Sequence, residues 1–167
     1  VTGVQTCALP ILLAPSRDTF GIIRPYTEAY NLNERARGFT EWFKDSQVLD
    51  IVCPQNSRSG ITSALDGVFK ENPDLAGLFC VSSMAHQVAD YLVKRDLKKR
   101  ITLIGYDLVP ENEDQLRSGK IDCLISQRPE EQGRLAIQEV YKEFVLQEPG
   151  GKAVPVPLDV FFKENLL

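Results

Sequence analysis

The sequence predicts an α/β protein: a mainly parallel sheet covered by helices on both faces, in a three-layer α/β/α architecture. Two observations predict this fold class. Short apolar runs alternate along the whole chain with longer segments that have helical periodicity. The run AGLFCV is apolar throughout, which is typical of a strand covered on both faces. The composition, with 43% hydrophobic and 25% charged residues, is that of a globular domain.

The first half of the chain shows two strand–helix pairs. FGIIRP and VLDIVCP are predicted strands, and each is followed by a segment of helical periodicity, LNERARGFTEWFKD and RSGITSALDGVFKEN. The inner face of the first helix is predicted from the spacing of Ala36, Phe39 and Phe43. The inner face of the second is predicted from Ile61, Leu65, Val68 and Phe69.

The next two pairs are shorter and more apolar. AGLFCV and ITLIGYD are predicted as buried strands. MAHQVADYLVKRDL is a predicted helix whose inward residues are Ala85, Val88, Ala89, Leu92 and Val93. PENEDQLRSG is predicted as a short helix that Pro110 opens and Gly119 closes, because proline suits the first helical position and glycine suits the end.

The last elements are a short strand, the longest helix and a closing strand. CLISQ is the strand, and PEEQGRLAIQEVYKEFVLQE is the helix, with Ala136, Val140 and Phe144 stacked on one face. AVPVPLDVFF is predicted as a final strand at an edge of the sheet, because its prolines cannot donate to a ladder. Crossovers between parallel strands are expected to be right-handed.

Residues 1–11, VTGVQTCALPI, carry no charge and stand apart from this pattern. With free codon choice, the stretch back-translates to a common short-read sequencing adapter. We expect it to be non-native and exclude it from the fold; a genuine strand is the alternative. The predicted organisation is therefore a non-native stretch at 1–11 and one partial domain at 12–167, with its N-terminal part missing.

Charge and cysteine usage exclude several classes of function. A net charge of −4 argues against nucleic-acid binding by this segment alone. No apolar run is long enough to span a bilayer, so no membrane partner is expected. Cys53, Cys80 and Cys123 lie in apolar runs without metal-binding or CxxC spacing, so no metal and no cofactor are predicted. Three buried thiols suit a reducing compartment, and we expect a cytoplasmic location.

Polar residues follow the predicted strands at the edge where ligands bind in open parallel sheets. They are Arg24, Gln55, Asn56, Ser82, Ser83, Asp107 and Gln127. This set suits a neutral, polyhydroxylated ligand, because carboxylate, guanidinium, amide and hydroxyl groups pair well with sugar hydroxyls. Phosphate transfer and hydride chemistry are poorly supported, since neither a glycine-rich loop with Lys nor a GxGxxG motif is present.

Each candidate also has a purely structural interpretation. Asp107 is a suitable cap for the helix that follows it, and Ser82 or Ser83 is a suitable cap for the next helix upstream. Gln127 is a suitable loop residue before Pro129. His86, the single histidine, suits packing or the surface, and an enzyme using His86 with Asp107 is a further hypothesis.

Four segments carry a family resemblance: NERARGF, NPDLAGLFCVSSMAHQVADYL, ITLIGYDLVPE and IDCLISQRPEEQG. In this order they resemble the sugar-binding domain of the LacI/GalR transcription regulators and of the type-I periplasmic sugar-binding proteins, over residues 12–167. The resemblance implies a domain of two lobes with ligand between them, of which this chain holds the C-terminal lobe. It also implies that residues 130–167 return toward the missing lobe, so their apolar faces are expected either to be unusually exposed or to cover the lobe in a makeshift way.

The resemblance implies roles for four residues. Arg35 would donate hydrogen bonds to ligand hydroxyls, and Asp107 would bind a pair of hydroxyls. Gln127 would lie at the hinge and contact the ligand. Ser82 is the fourth ligand-binding candidate, although many family members have Asn-Asp where this chain has Ser82-Ser83.

The implied function is the effector-binding domain of a LacI-type DNA-binding regulator, with a sugar or related polyol as effector. DNA would be bound only through a missing N-terminal domain, and the full-length protein would be a homodimer without enzymatic activity. A periplasmic sugar-binding protein of a transport system is the alternative. The receptor domain of a sensor kinase is a further possibility.

Overall fold

The computed structural model describes residues 19–25, 29–53, 57–149 and 154–166. The expectation for residues 1–11 lies outside this part of the chain, as do the candidates Gln55 and Asn56. No helix in the described ranges is long and apolar enough to cross a membrane.

The described strands form one six-stranded sheet in the order β2-β1-β3-β4-β5-β6. Their bounds are β1 Thr19–Pro25, β2 Gln47–Cys53, β3 Gly77–Cys80, β4 Thr102–Tyr106, β5 Cys123–Ser126 and β6 Asp159–Phe161. The first five strands are mutually parallel, as the alternation of strands and helices predicts. The sixth runs antiparallel to β5, so the sheet is mixed at this edge.

Helices connect the parallel strands and follow β5. They are α1 Tyr30–Trp42, α2 Arg58–Glu71, α3 Ala85–Lys94, α4 Pro110–Arg117 and α5 Pro129–Phe144. Each lies where the periodicity predicts a helix, with ends displaced by a few residues. The predicted signals of α4 are confirmed, because Pro110 opens the helix and Gly119 follows it with φ of 72°.

The two faces of the sheet have separate cores, which makes the three layers. On one face, Leu65 of α2, Leu92 of α3 and Leu116 of α4 pack with apolar side chains of the strands. On the other face, α1 places its Phe39 ring against Phe79 of β3, in a stacked pair with centroids 5.0 Å apart. The predicted α/β/α architecture is therefore confirmed.

Two details of the predicted elements are wrong. Val93 is predicted to face inward, but it is 46% exposed because the buried stripe of α3 ends at Leu92. The last strand is predicted over AVPVPLDVFF, but only Asp159–Phe161 pairs with β5. Pro155 and Pro157 have no N–H for a ladder, which explains why pairing begins after them.

The apolar face of α5 is exposed, as expected for residues 130–167. No residue of this helix is buried, and Ile137 and Phe144 are 70% and 75% exposed. Val140, predicted to share one face with Ala136 and Phe144, is 53% exposed. β6 differs from α5, because Val160 is half-buried and packs against the second core.

Gly105 lets α3 begin directly against β4. A Cβ at this glycine would overlap the Cβ of Ala85, the first residue of α3. Glycine is therefore required here by the close approach of two backbones, and this contact places the start of α3 beside the carboxyl end of β4.

We predict that Gly105→Ala destabilises the protein by about 1–3 kcal/mol, since the added methyl group overpacks the contact with Ala85. Gly67→Ala is the matched control, because this α2 glycine has open space around its Cα. The control should gain about 0.5–1 kcal/mol from helix propensity. Urea denaturation of both variants measures the difference; equal effects would contradict the close approach.

Candidate functional site

Arg35 of α1 reaches the carboxyl end of the sheet. Its Nη1 donates to the Val81 carbonyl oxygen at 2.6 Å, just after β3, and its Cζ lies 3.8 Å from the centroid of the Tyr106 ring. Burial lowers the pKa of this guanidinium, while attraction to Tyr106 and Asp107 acts in the opposite direction. Arginine nevertheless stays charged at neutral pH, so Arg35 is a half-buried cation at this edge.

Asp107 follows β4 in a left-handed conformation with φ of 68°. Its backbone N–H donates to the Ile125 carbonyl at 2.8 Å, and its Oδ1 accepts from Gln127 Nε2 at 2.9 Å. The interpretation of Asp107 as a helix cap is wrong. The N-cap of α4 is Val109, and no side chain caps that helix. The carboxylate instead turns toward the end of β5.

The segment after β5 is held on two sides. Gln132 of α5 donates from Nε2 to the Gln127 carbonyl at 2.7 Å. Arg128, with φ of 52°, donates from Nε and Nη2 to the two carboxylate oxygens of Asp159 at 2.7 and 2.6 Å. The segment therefore fixes Gln127 beside Asp107 and ties this end of β5 to β6.

Ser82 lies at the same edge, directly after the residue that Arg35 contacts. It is half-buried and follows Val81, whose carbonyl accepts from Arg35. The Cys80 thiol donates to the Ser82 carbonyl at 3.4 Å, and its Sγ lies 3.8 Å from Ser82 Oγ. The N-cap of α3 is Met84, so the interpretation of either serine as that cap is wrong.

Arg24, the cation after FGII, is paired within the sheet. Its Nε and Nη2 donate to the two carboxylate oxygens of Asp50 on β2, at 2.8 and 2.7 Å. The strand residue Asp50 was not among the sequence candidates. Its presence means that the charge of Arg24 is balanced by β2, whereas Arg35 contacts a carbonyl and a ring.

His86 lies near this edge but does not pair with Asp107. Its Nδ1 is 3.1 Å from Asn112 Oδ1, and no hydrogen bond joins it to Asp107 among the residues the structure describes. Burial raises the pKa of the Cys80 thiol to about 11 and that of Cys123 to about 12. These thiols are therefore protonated at neutral pH. The enzyme hypothesis lacks the hydrogen-bonded pair of His86 and Asp107 that it needs.

Two residues of the site were missed from the sequence. The Tyr106 ring packs against Arg35, and Asn112, which is 0% exposed, donates from Nδ2 to the carbonyls of Tyr106 and Asp107, both at 3.0 Å. A signal for Asn112 was present, because it stands four residues before buried Leu116 on the inner stripe of α4.

The assembled edge has the chemistry of a hydroxyl-binding site. Contacts at this edge connect three of the four predicted residues. Arg35 lies over the ring of Tyr106, the residue before Asp107, and Asp107 accepts a hydrogen bond from Gln127. A guanidinium, a carboxylate and an amide offer donors and acceptors with one charge of each sign. No cluster of His, Cys, Asp or Glu suited to a metal ion occurs within the described ranges.

Comparison with known proteins places this edge in a family context. The model of the periplasmic binding protein domain matches residues 13–145. The D-allose-binding periplasmic protein of Escherichia coli (strain K12) is 26% identical over 133 residues, covering 77% of this chain and 42% of that protein. The chain thus spans less than half the length of this curated relative.

Two solved structures are similar over nearly the whole chain. A Bacteroides fragilis protein that has been assigned to the LacI transcriptional regulators has a TM-score of 0.85 and 25% identity, with 98% of this chain and 59% of that chain covered. An ABC transporter solute-binding protein from Burkholderia graminis C4D1M, in complex with D-arabinose, has a TM-score of 0.87 and 23% identity. The match covers 98% of this chain and 59% of the solute-binding protein, and it shows that the two share a fold.

We predict that the Arg128–Asp159 pair contributes stability that is lost in acid. The hydrogen bond from Arg128 lowers the pKa of Asp159. The contribution is therefore complete above the ordinary carboxylate pKa, about 4, and disappears as pH falls through the lower folded-state value. Asp159→Asn should lose this acid-side slope in stability measured from about pH 6 to pH 2.

Asp74→Asn, at an exposed turn residue, is the control for removing one carboxylate. The difference between the two variants should be small and should shrink at high salt, because both side chains of the Arg128–Asp159 pair are partly exposed. Identical pH profiles at low salt would show that the pair adds no stability.

Proposed function

The chain belongs to the family of periplasmic binding protein domains, and we propose that its carboxyl edge binds a sugar or a related polyol. The observation that carries this proposal is the Asp107 carboxylate held by Gln127 at 2.9 Å, in the electrostatic field of Arg35. Hydroxyl groups of a sugar donate to a carboxylate and accept from a guanidinium.

The site retains capacity for such a ligand. Asp107 uses Oδ1 for Gln127, and a carboxylate accepts several hydrogen bonds on its two oxygens. Arg35 uses Nη1 for Val81, and a guanidinium carries five N–H donors. Opposite charges on these two residues favour a neutral ligand over an ionic one.

The relatives support this ligand class. The Escherichia coli protein is named for D-allose, and the Burkholderia graminis structure contains D-arabinose. Both molecules are neutral polyhydroxylated sugars, which is the chemistry that the Asp107 edge suits. Non-enzymatic binding is therefore part of the proposal, with Arg35, Asp107, Gln127 and Ser82 as ligand-binding residues.

We place this domain in a LacI-type transcriptional regulator of the cytoplasm. The similarity to the Bacteroides fragilis regulator supports this assignment. Three buried free cysteines, Cys53, Cys80 and Cys123, suit a reducing compartment. Sugar binding would bias a homodimer between two lobe arrangements and so change DNA binding through a separate domain.

The second candidate is a periplasmic sugar-binding protein of a transport system. It is favoured by the Escherichia coli and Burkholderia graminis proteins, which are named as a periplasmic binding protein and a transporter solute-binding protein. Long-read sequencing of the DNA upstream of the Leu12 codon separates the candidates. Codons for a helix-turn-helix support the regulator, and codons for a signal peptide support the transport protein.

We predict that Arg35→Met lowers sugar affinity by roughly 10- to 100-fold, because it removes charge-assisted hydrogen bonds to hydroxyls. The measurement is calorimetric titration of the protein, expressed together with the sequence that its upstream codons encode. The ligands are a panel of aldoses that contains D-allose and D-arabinose. Arg37→Met is the matched control, since Arg37 is exposed on the same helix and pairs with Glu34. Equal losses in both variants would contradict the proposed site.

We also predict that the 167-residue chain alone binds the same sugar much more weakly than a chain that carries both proposed lobes. The proposed ligand lies between two lobes, so one lobe supplies only part of its contacts. Micromolar binding by the short chain, measured in the same calorimeter, would show that the lobe described here forms a sufficient site.

A further inference from the structure

We propose that Asn112 is a positioning residue that holds Asp107 in its left-handed conformation and thereby directs the Asp107 carboxylate toward Gln127. The inference rests on the proposed function for its consequence in ligand binding. Its structural step stands on the geometry of Asn112 alone.

The direction of two carbonyl groups is the first observation. In an extended strand, successive carbonyls point to opposite sides. The carbonyls of Tyr106 and Asp107 instead accept hydrogen bonds from one nitrogen, Asn112 Nδ2, each at 3.0 Å. They converge because the chain turns at Asp107, where φ is 68°. The amide of Asn112 therefore binds the turned backbone and would lose a contact if Asp107 became extended.

The second observation is that the Asn112 side chain is buried and fully engaged. Its Oδ1 accepts from the His86 backbone N–H at 2.8 Å, in the first turn of α3. It also contacts His86 Nδ1 at 3.1 Å, which is favourable when that nitrogen carries the proton. A flipped amide would set its oxygen against two carbonyls and its NH₂ group against an N–H. The orientation is thus fixed by four neighbours.

These contacts make Asn112 the link between packing and the site. A left-handed φ is unfavourable for an aspartate, and such a conformation persists where the surroundings impose it. Asn112 donates to both carbonyls that flank the Asp107 Cα, while the Asp107 N–H donates to the Ile125 carbonyl at 2.8 Å. Without Asn112, Asp107 is expected to relax toward an extended conformation, and its carboxylate would leave Gln127.

NMR on the 167-residue chain tests this directly. Asn112→Ala should move the Asp107 ¹³Cα and carbonyl shifts from left-handed toward extended values and change the Gln127 side-chain amide shifts. Asn72→Ala is the matched control, because Asn72 Nδ2 also donates to a backbone carbonyl, that of Val68 at 3.1 Å, but at the far end of α2. Unchanged Asp107 shifts in a folded Asn112→Ala protein would overturn the proposal.

A second variant keeps the test decisive if Asn112→Ala folds poorly. Glycine adopts positive φ without the steric cost that aspartate has. Without Asn112, only the aspartate protein regains that cost by relaxing. Asp107→Gly should therefore enlarge the effect of Asn112→Ala on the folding equilibrium constant by roughly fivefold or more, measured by urea denaturation of the four proteins of the cycle. An equal effect in both backgrounds would show that Asn112 stabilises the fold without setting the Asp107 turn.

Sugar affinity of a chain that carries both proposed lobes supplies the functional arm. Asn112→Ala should weaken binding roughly tenfold with Asp107 present and have little further effect in an Asp107→Ala background. Additive losses would contradict a role exerted through Asp107. If the parent protein binds no sugar on the panel, the proposed function fails, whereas the NMR shifts still decide the role of Asn112.

Discussion

The left-handed turn at Asp107 is the feature on which the rest of the site depends. Gly105 lets α3 start against β4, which brings the His86 N–H within 2.8 Å of Asn112. The same asparagine binds the carbonyls on both sides of Asp107 and stabilises the turn. The turn then sends the carboxylate toward Gln127. Backbone packing and polar chemistry are thus joined in one continuous set of contacts.

The distribution of arginine partners explains why this edge suits a neutral ligand. Arg24 and Arg128 each form a two-point contact with a carboxylate, Asp50 or Asp159, so their charges are balanced locally. Arg35 differs, because it contacts a carbonyl oxygen and an aromatic face. Its guanidinium therefore keeps donors for an incoming hydroxyl, while the nearby Asp107 balances its charge.

The fold was largely predictable because apolar periodicity reports burial, and burial decides most of these elements. The same logic fails where pairing depends on geometry. β6 is antiparallel and short, since two prolines precede Asp159 and the chain returns to β5 from the opposite direction. The Arg24–Asp50 pair joins residues far apart in sequence, so no local pattern indicates it. Asn112 had a periodic signal, but its partners become evident only when α3 and β4 meet.

The exposed face of α5 and the proposed binding edge are connected through one short segment. Gln127 contacts Asp107, Arg128 binds Asp159 of β6, and the next residue begins α5. Because Gln132 of α5 donates to the Gln127 carbonyl, a displacement of the helix acts on the residue beside the carboxylate. A surface that covers Ile137 and Phe144 would thus also restrain Gln127. The proposed ligand binding at Asp107 and packing on α5 would therefore be coupled, since both would depend on the position of Gln127, Arg128 and Pro129.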